Sequence, residues 1–226
     1  MKLVTYATHS HGTFEQLVGG SHDIEVLGFG TPWTGFMDKF KGVREYLDTL
    51  PDTEIVIFLD GFDSLIVRED LGDLEETFKS LNCKVLVSHE NKSSFSSFLP
   101  TFVRTYITMA VFGRCQGDVT ANTGLYMGYV RELKQLIDKI LQGSSDDDQR
   151  NFNQTCQHFS FIRVDTDNII FENCSNHDDI TRSGAYFVQL PGALEPSRIL
   201  RSVKEYSKYF VFEIILVILV ILYFCL

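Results

Sequence analysis

Two aspartates stand at the end of an apolar, strand-like run in the sequence. The run IVIFL, residues 55–59, is followed by Asp60 and, across Gly61, by Asp63. Two carboxylates three residues apart in a tight turn can face one point, and their oxygens suit Mg²⁺ or Mn²⁺. Such a cation would neutralise a nucleotide diphosphate. The alternative is structural: Asp60 caps the turn and Asp63 is merely exposed.

A glycine-rich segment, LGFGTPWTGF at residues 27–36, precedes a stretch with helical spacing. It contains the single tryptophan, Trp33, and Lys39 follows at the opening of the predicted helix. Backbone N–H groups at a helix start can hold phosphate, and an indole ring can stack on a base. An ordinary turn with a core tryptophan explains the same residues equally well.

A third polar segment, SSDDDQ, precedes another predicted helix. Its last four residues are Asp146, Asp147, Asp148 and Gln149. Acidic residues are favourable at the positive end of a helix dipole. Helix capping explains one of the three aspartates but not all of them, and a solvated loop is the bland alternative.

The elements that would position these residues are strands alternating with helices. Strand-like runs recur at KLVTYAT, IEVLGF, EIVIFLD, KVLVSH, TGLYMGYV and FIRVD. Helical spacing of apolar residues covers residues 38–50, 71–81 and 129–141. This alternation predicts an α/β fold with a mostly parallel sheet and helices on both faces. Ligands bind such sheets beyond the carboxyl ends of the strands, which is where Asp60 and Asp63 stand.

Charge and cysteine spacing exclude several classes of partner and site. The formal net charge is -10, so nucleic acid is not expected as a partner, because an acidic surface repels phosphate unless a cation intervenes. The five cysteines show no CxxC spacing. We therefore expect neither a zinc site nor a disulfide framework, but reduced and mostly buried thiols.

The C-terminal residues 209–226 are almost wholly apolar and follow a basic stretch. Their length suffices to cross a bilayer as a helix. We expect a single C-terminal transmembrane anchor at residues 209–226, joined to the rest of the chain by a linker at residues 193–208. The positive-inside rule then places the preceding residues in the cytosol, whereas three N-x-S/T sequons argue weakly for a lumenal side.

Eight segments together resemble, in the same order, the glycosyltransferase domain of procollagen lysyl hydroxylases and of procollagen galactosyltransferase-type proteins. They are VTYATH, LGFGTPW, GFMDKFKGVREYL, IVIFLDGFDSLI, VLVSHE, ANTGLYMGY, SDDDQRNF and VDTDNIIFEN. The resemblance implies a GT-A-like, Rossmann-type domain at residues 1–192. It also implies transfer of a hexose from a UDP-sugar donor to a hydroxyl acceptor on a protein or glycan, such as a hydroxylysine-like group, with Mn²⁺ or Mg²⁺ as cofactor.

The resemblance also assigns roles to single residues. Asp63 becomes the direct metal ligand, with Asp60 closer to the nucleotide. The implied donor-binding residues are Thr8, Trp33, Lys39, Asp60, Asn122, Thr123 and Gly124. The implied catalytic residues, near the transferred sugar, are Asp146, Asp147, Asp148 and Gln149. Ser88 and Glu90 match the end of another core strand.

One position departs from the family pattern. The family completes its metal shell with a histidine in an H-x-N-G stretch, whereas the segment VQLPG here offers Gln189 as the third metal ligand. An amide carbonyl is a poorer ligand for Mn²⁺ than imidazole. Two functions therefore stay open: a membrane-tethered, metal-dependent glycosyltransferase, and a catalytically inactive glycosyltransferase-like binding module.

Overall fold

The computed structural model describes residues 1–91, 100–191, 207–211 and 215. The described part contains nine strands: β1 (Lys2–Tyr6), β2 (Ile24–Leu27), β3 (Ile55–Asp60), β4 (Ser64–Ile66), β5 (Val85–His89), β6 (Ala121–Tyr129), β7 (Ile162–Asp165), β8 (Phe171–Asn173) and β9 (Phe187–Gln189). It also contains seven α-helices: α1 (Phe14–Val18), α2 (Asp38–Leu47), α3 (Leu74–Ser80), α4 (Thr101–Phe112), α5 (Val130–Ile140), α6 (Asp148–Cys156) and α7 (His177–Arg182).

The six predicted strands form one sheet, in the order β2-β1-β3-β6-β5-β7. Five of them run in one direction, and β6 is antiparallel to both of its neighbours, β3 and β5. The predicted α/β fold with a mostly parallel sheet is thus confirmed. A second, smaller sheet has the order β4-β9-β8.

The central strand β3 is apolar on both faces because both faces are covered. Val56 and Phe58 pack in one core cluster with residues of α2, α5 and α6. Ile57 and Leu59 pack in another with residues of α1, α3 and the smaller sheet. Phe58 stacks on Tyr126 of β6 with ring centroids 4.8 Å apart, so truncating it to alanine would destabilise the fold by about 3–5 kcal/mol.

The topology brings several chain segments to one edge of the large sheet. From β1 the chain goes outward to β2 and then returns to β3 on the other side of β1, which makes β1/β3 the switch point where ligands bind in open α/β sheets. Because β6 runs in reverse, its first residues lie at the edge where the parallel strands end. Asn122 is thus paired with Ser88, near the end of β5.

Two cysteines contradict the prediction of reduced thiols. Cys115 and Cys156 form a disulfide with their Cα atoms 5.1 Å apart, a separation typical of such bonds. Cys115 stands before β6 and Cys156 ends α6, so the pair forms only because the fold brings these segments together. Cys83 and Cys174 are thiols.

The predicted linker and anchor lie almost wholly outside the described residues. The chain divides into two units, Met1–Pro191 and Gly192–Leu226. In the second unit, the described residues include a short 3-10 helix, Ser207–Phe210. No helix among the described residues is long and apolar enough to cross a membrane.

Two of the three sequon asparagines are structural. Asn153 and Asn173 are fully buried. Asn153 bonds both the N–H and the carbonyl of Ala121, which ties α6 to β6. Asn173 donates to the carbonyl of His89. Neither side chain is open to glycosylation in the folded chain, so these two sequons do not argue for a lumenal side.

Candidate active site

The centre of the candidate site is Lys39, the second residue of α2, which is only 8% exposed. Its Nζ lies 2.5 Å from Oδ2 of Asp148 and 3.8 Å from Oδ2 of Asp60. It also donates to Oγ1 of Thr123 at 3.4 Å. The structure therefore brings together predicted donor-binding and catalytic residues from α2, β3, β6 and α6.

Carboxylates determine the charge state of Lys39. Burial alone would lower the pKa of its ammonium, but Asp148 and Asp60 outweigh this effect, and the pKa lies above its usual value. Asp63 acts on the pKa of Lys39 in the same direction but more weakly. Lys39 is therefore a buried ammonium that Asp148 and Asp60 share.

The turn after β3 contains Asp60 and Asp63, for which the sequence left open a cation site and a purely structural role. Oδ1 of Asp60 accepts the N–H of Phe62 at 3.1 Å, so Asp60 does cap the turn, while its Oδ2 is the oxygen near Lys39. Asp63 is partly buried rather than merely exposed, and its Oδ1 accepts from Nε2 of Gln189 at 2.8 Å. Gly61 has no room for a side chain, because a Cβ there would overlap Ala7 and the carbonyl of Tyr6, the last residue of β1.

Gln189, at the end of β9, is 4% exposed. Its strand pairs with β4 so that Gln189 lies opposite Ser64, one residue after Asp63. The side-chain amide lies against Gly124 of β6, where any Cβ would overlap it. The glycine therefore makes room for the amide, and Asp63, Gln189 and Gly124 are neighbours; their roles as metal ligands and as a donor-binding residue stay predictions.

A second polar network joins Asn122 and Gln149 through Glu90. Nδ2 of Asn122 and Nε2 of Gln149 donate to Oε2 of Glu90 at 2.5 and 3.0 Å. Burial raises the pKa of Glu90, and the two hydrogen bonds offset this only in part. A buried acid with a raised pKa is typical of proton-transfer sites. We assigned Glu90 no role from the sequence, although its position directly after β5 was a signal.

The three aspartates of the acidic segment differ in exposure and in hydrogen bonding. Asp146 is exposed, and Asp147 caps α6 by accepting the N–H of Arg150 at 2.7 Å. Asp148 is 6% exposed and accepts from Thr123 at 2.7 Å as well as from Lys39. Helix capping thus explains one aspartate, as predicted, and only Asp148 of the three bonds to Lys39.

The glycine-rich loop presents an open aromatic ring. Trp33 is 42% exposed, so the core-tryptophan alternative is wrong, and its ring meets Phe36 edge-on. Asp38 holds the loop to α2 through hydrogen bonds from Thr34 and Gly35. Burial raises the pKa of Asp38, but these bonds outweigh it and leave the pKa below its usual value.

Thr8 follows β1 and anchors the same loop. Its carbonyl accepts the N–H of Gly30 at 2.9 Å, and its hydroxyl lies 3.0 Å from Nδ1 of His9. Thr8 therefore lies at the switch point beside the loop, but its hydrogen bonds are not those of the Lys39 cluster.

Comparison with known proteins assigns the chain to a family. The family model for the PLOD GT domain matches residues 1–183. The chain belongs to this glycosyltransferase family. Its fold is also similar to a solved glycosyltransferase involved in the glycosylation of the major capsid of PBCV-1, with 11% identity, 88% of this chain and 97% of that chain covered, and a TM-score of 0.51.

A second solved structure, the galactosyltransferase LgtC in complex with donor and acceptor sugar analogs, shows 12% identity, covers 92% of this chain and 95% of its own, and has a TM-score of 0.47. A comparison with curated protein sequences found no match.

The PLOD GT domain of this chain offers an unusual donor set for a cation. In the part of the chain that the structure describes, no three His, Cys, Asp or Glu side chains are grouped to hold a metal ion. Asp60 and Asp63 need a further ligand, and Oε1 of Gln189, buried without a hydrogen-bond partner among the described residues, is an oxygen of the required type. The residues present therefore fit a cation that prefers oxygen.

Proposed function

We propose that the chain transfers a hexose from a UDP-sugar to a hydroxyl acceptor on a protein or glycan, with the help of a divalent cation. The observation that carries this proposal is the buried Lys39 ammonium between Asp148 and Asp60, at the sheet's switch point. A structural ion pair would not need the adjoining Asp63 and the glycine-rich loop at the same edge. Membership of a glycosyltransferase family supports the reaction class.

Each group of residues in the candidate site would have its own role. Asp60, Asp63 and Gln189 would hold Mg²⁺ or Mn²⁺, which neutralises charge that develops on a departing diphosphate. Trp33 presents an exposed face on which a base can stack. Lys39 fixes the carboxylate of Asp148 near the donor, because the two side chains are buried and 2.5 Å apart.

Glu90 is the residue we assign to the acceptor side. Its carboxyl group is held by Asn122 and Gln149 and has a raised pKa. A base of this kind can take the proton of an attacking hydroxyl, since proton transfer is most efficient when the pKa of the base is near the operating pH.

The test is Asp63→Ala in the full-length chain in detergent. Turnover of UDP-glucose and UDP-galactose with Mn²⁺ or Mg²⁺ should fall about 100-fold or more, the effect of removing one stabilising group from charge that develops in a transition state. The matched control is Asp23→Ala, which removes an exposed carboxylate directly before β2 and should leave turnover unchanged. Equal turnover in wild type and Asp63→Ala would contradict the proposed site.

One observation favours a second function, a non-catalytic binding module. The amide of Gln189 already donates to Asp63, and this bond competes with a cation for the carboxylate. Calorimetry separates the two functions: cation-dependent binding of UDP without turnover of any UDP-sugar supports the binding module.

We further propose that residues 209–226 tether the domain to a membrane. The basic stretch before them supports a cytosolic domain. The Cys115–Cys156 disulfide supports the opposite side, because disulfides persist mainly in oxidising compartments. Protease protection in intact vesicles distinguishes the two: digestion of the domain from outside the vesicles places it in the cytosol.

A further inference from the structure

The side-chain carbonyl of Gln189 is buried at the candidate site without a partner. No hydrogen bond to Oε1 exists among the described residues, although Gln189 is only 4% exposed. A buried acceptor in that state is unfavourable and requires an explanation, such as a missing ligand.

The orientation of this amide follows from its neighbour. Nε2 donates to Oδ1 of Asp63 at 2.8 Å. The reversed amide would point its carbonyl at the carboxylate, which repels it, so the unpaired atom must be the oxygen. The carbonyl oxygen Oε1 therefore has no hydrogen-bond donor among the described residues.

The fold holds the amide in this place. The strand pairing sets Gln189 opposite Ser64, and the N–H of Leu190 bonds the carbonyl of Asp63 at 2.9 Å. On the other side, Gly124 leaves room for the amide where any larger residue would overlap it. Contacts from β4, β6 and β9 therefore determine where Oε1 lies.

Lys39 does not supply the missing positive partner. Its Nζ is 2.5 Å from Asp148 but 3.8 Å from Asp60, and its hydrogen bond goes to Thr123. The ammonium is thus engaged on the α6 side of the site, while Gln189 lies on the side of the turn after β3.

We propose that Oε1 of Gln189 is a cation ligand, and that this amide oxygen favours Mg²⁺ relative to Co²⁺ and Zn²⁺ in comparison with an imidazole at the same position. This inference rests on the proposed function, since it concerns the cation of the same site. Carboxylates and carbonyls suit Mg²⁺, Ca²⁺ and Mn²⁺, whereas imidazole suits the later transition metals. Asp60, Asp63 and Gln189 offer two carboxylates and one carbonyl, and so lack the imidazole that raises affinity for the later transition metals more than for Mg²⁺.

The experiment measures binding rather than activity. Preformed Mg²⁺–UDP and Co²⁺–UDP are titrated calorimetrically into the full-length chain in detergent, and the ratio of the two Kd values is compared between variants. Gln189→His introduces an imidazole and should shift this ratio about 10-fold or more towards Co²⁺, the scale of ligand-environment effects on metal affinity. The Co²⁺ absorption spectrum should change in the same variant, because nitrogen replaces oxygen.

Two further variants make the result specific. Gln189→Leu removes the carbonyl and should weaken binding of both complexes about 10-fold, which keeps the test valid if the histidine variant does not fold. Gln142→His adds the same imidazole at an exposed position after α5 and should leave the ratio unchanged.

Three outcomes are decisive. Binding of both complexes with the same ratio in wild type and Gln189→His overturns the selectivity. Wild-type affinity for Mg²⁺–UDP in Gln189→Leu overturns the role of Oε1, while the cation dependence of the proposed function stands. Binding of UDP that is unaffected by chelator in every variant refutes the cation dependence itself, and the inference with it.

Discussion

Replacing Lys39 by methionine tests whether the site is organised around a buried positive charge. Lys39 and Asp148 are both buried, and their charged atoms lie 2.5 Å apart. Removing one partner of a buried pair costs about 3–5 kcal/mol, because the other charge is left uncompensated. Asp148 keeps the hydrogen bond from Thr123, so we expect the lower end, about 3 kcal/mol.

A double-mutant cycle isolates the pair. Asp148→Asn removes the other charge, and the double variant should be destabilised by about 2 kcal/mol less than the sum of the single variants. The free energy of unfolding is measured by far-UV circular dichroism of the full-length chain in urea, since guanidinium would screen the charges. The control cycle uses Lys79→Met and Glu75→Gln, an exposed pair on α3 at 2.6 Å, which should show no measurable coupling. Additive effects in the Lys39 cycle would refute the reasoning.

Three further predictions concern neighbouring features. Gly124→Ala forces the amide of Gln189 away and should destabilise the fold by about 1–3 kcal/mol, whereas adding Gln189→Ala should restore most of this in urea unfolding; no rescue would mean that the glycine serves another purpose. Burial raises the pKa of Glu90, so the folded chain holds a proton that the unfolded chain has lost, and stability falls as the pH rises from the ordinary glutamate pKa to the raised one. Glu90→Gln should therefore be more stable than wild type at pH 7 but not at pH 4, and an equal gain at both pH values would contradict this. Finally, Cys115 and Cys156 should resist alkylation until reduced, as read by mass spectrometry, and replacing both by serine should cost about 2–4 kcal/mol; alkylation without reductant would show that the bond is absent.

The sequence predicted the elements whose signal is local. The run at residues 55–59 is apolar at every position, which indicates a strand covered on both faces, and β3 is such a strand. The helix predicted over residues 38–50 begins where expected but ends at Leu47. The reversed direction of β6 was not predictable, because a run of apolar residues has the same pattern in either direction and only strand pairing determines which is used.

In the candidate site, too, the sequence predicted what is local and missed what depends on contacts between distant segments. Asp60 and Asp63 were found because they are close in sequence and follow a strand. The bond between Lys39 and Asp148 was not found, since only the packing of α2 and α6 against the sheet brings these distant residues together. The disulfide was missed for the same reason, because cysteine spacing carries no signal for a contact between separate elements.

Buried polar groups differ between the site and the rest of the sheet edge. Asp165, at the end of β7, is buried but accepts three backbone N–H groups, from Ile169, Ile170 and Phe171. It is fully compensated, as a structural carboxylate should be. At the candidate site the compensation is incomplete: Glu90 has a raised pKa and Gln189 has an unpaired carbonyl.

Other buried side-chain atoms without a hydrogen-bond partner lie along the same edge and beside it. They belong to Ser64, opposite Gln189 on β4, to Asn173, paired with Gln189 on β8, and to His89 and Asn91, which flank Glu90. Arg44, Tyr126 and Asn168 carry such an atom as well, so an unpaired atom alone does not mark a binding site. Beside Gln189 and Glu90, a ligand that pairs with such atoms would stabilise the folded chain by its own binding free energy.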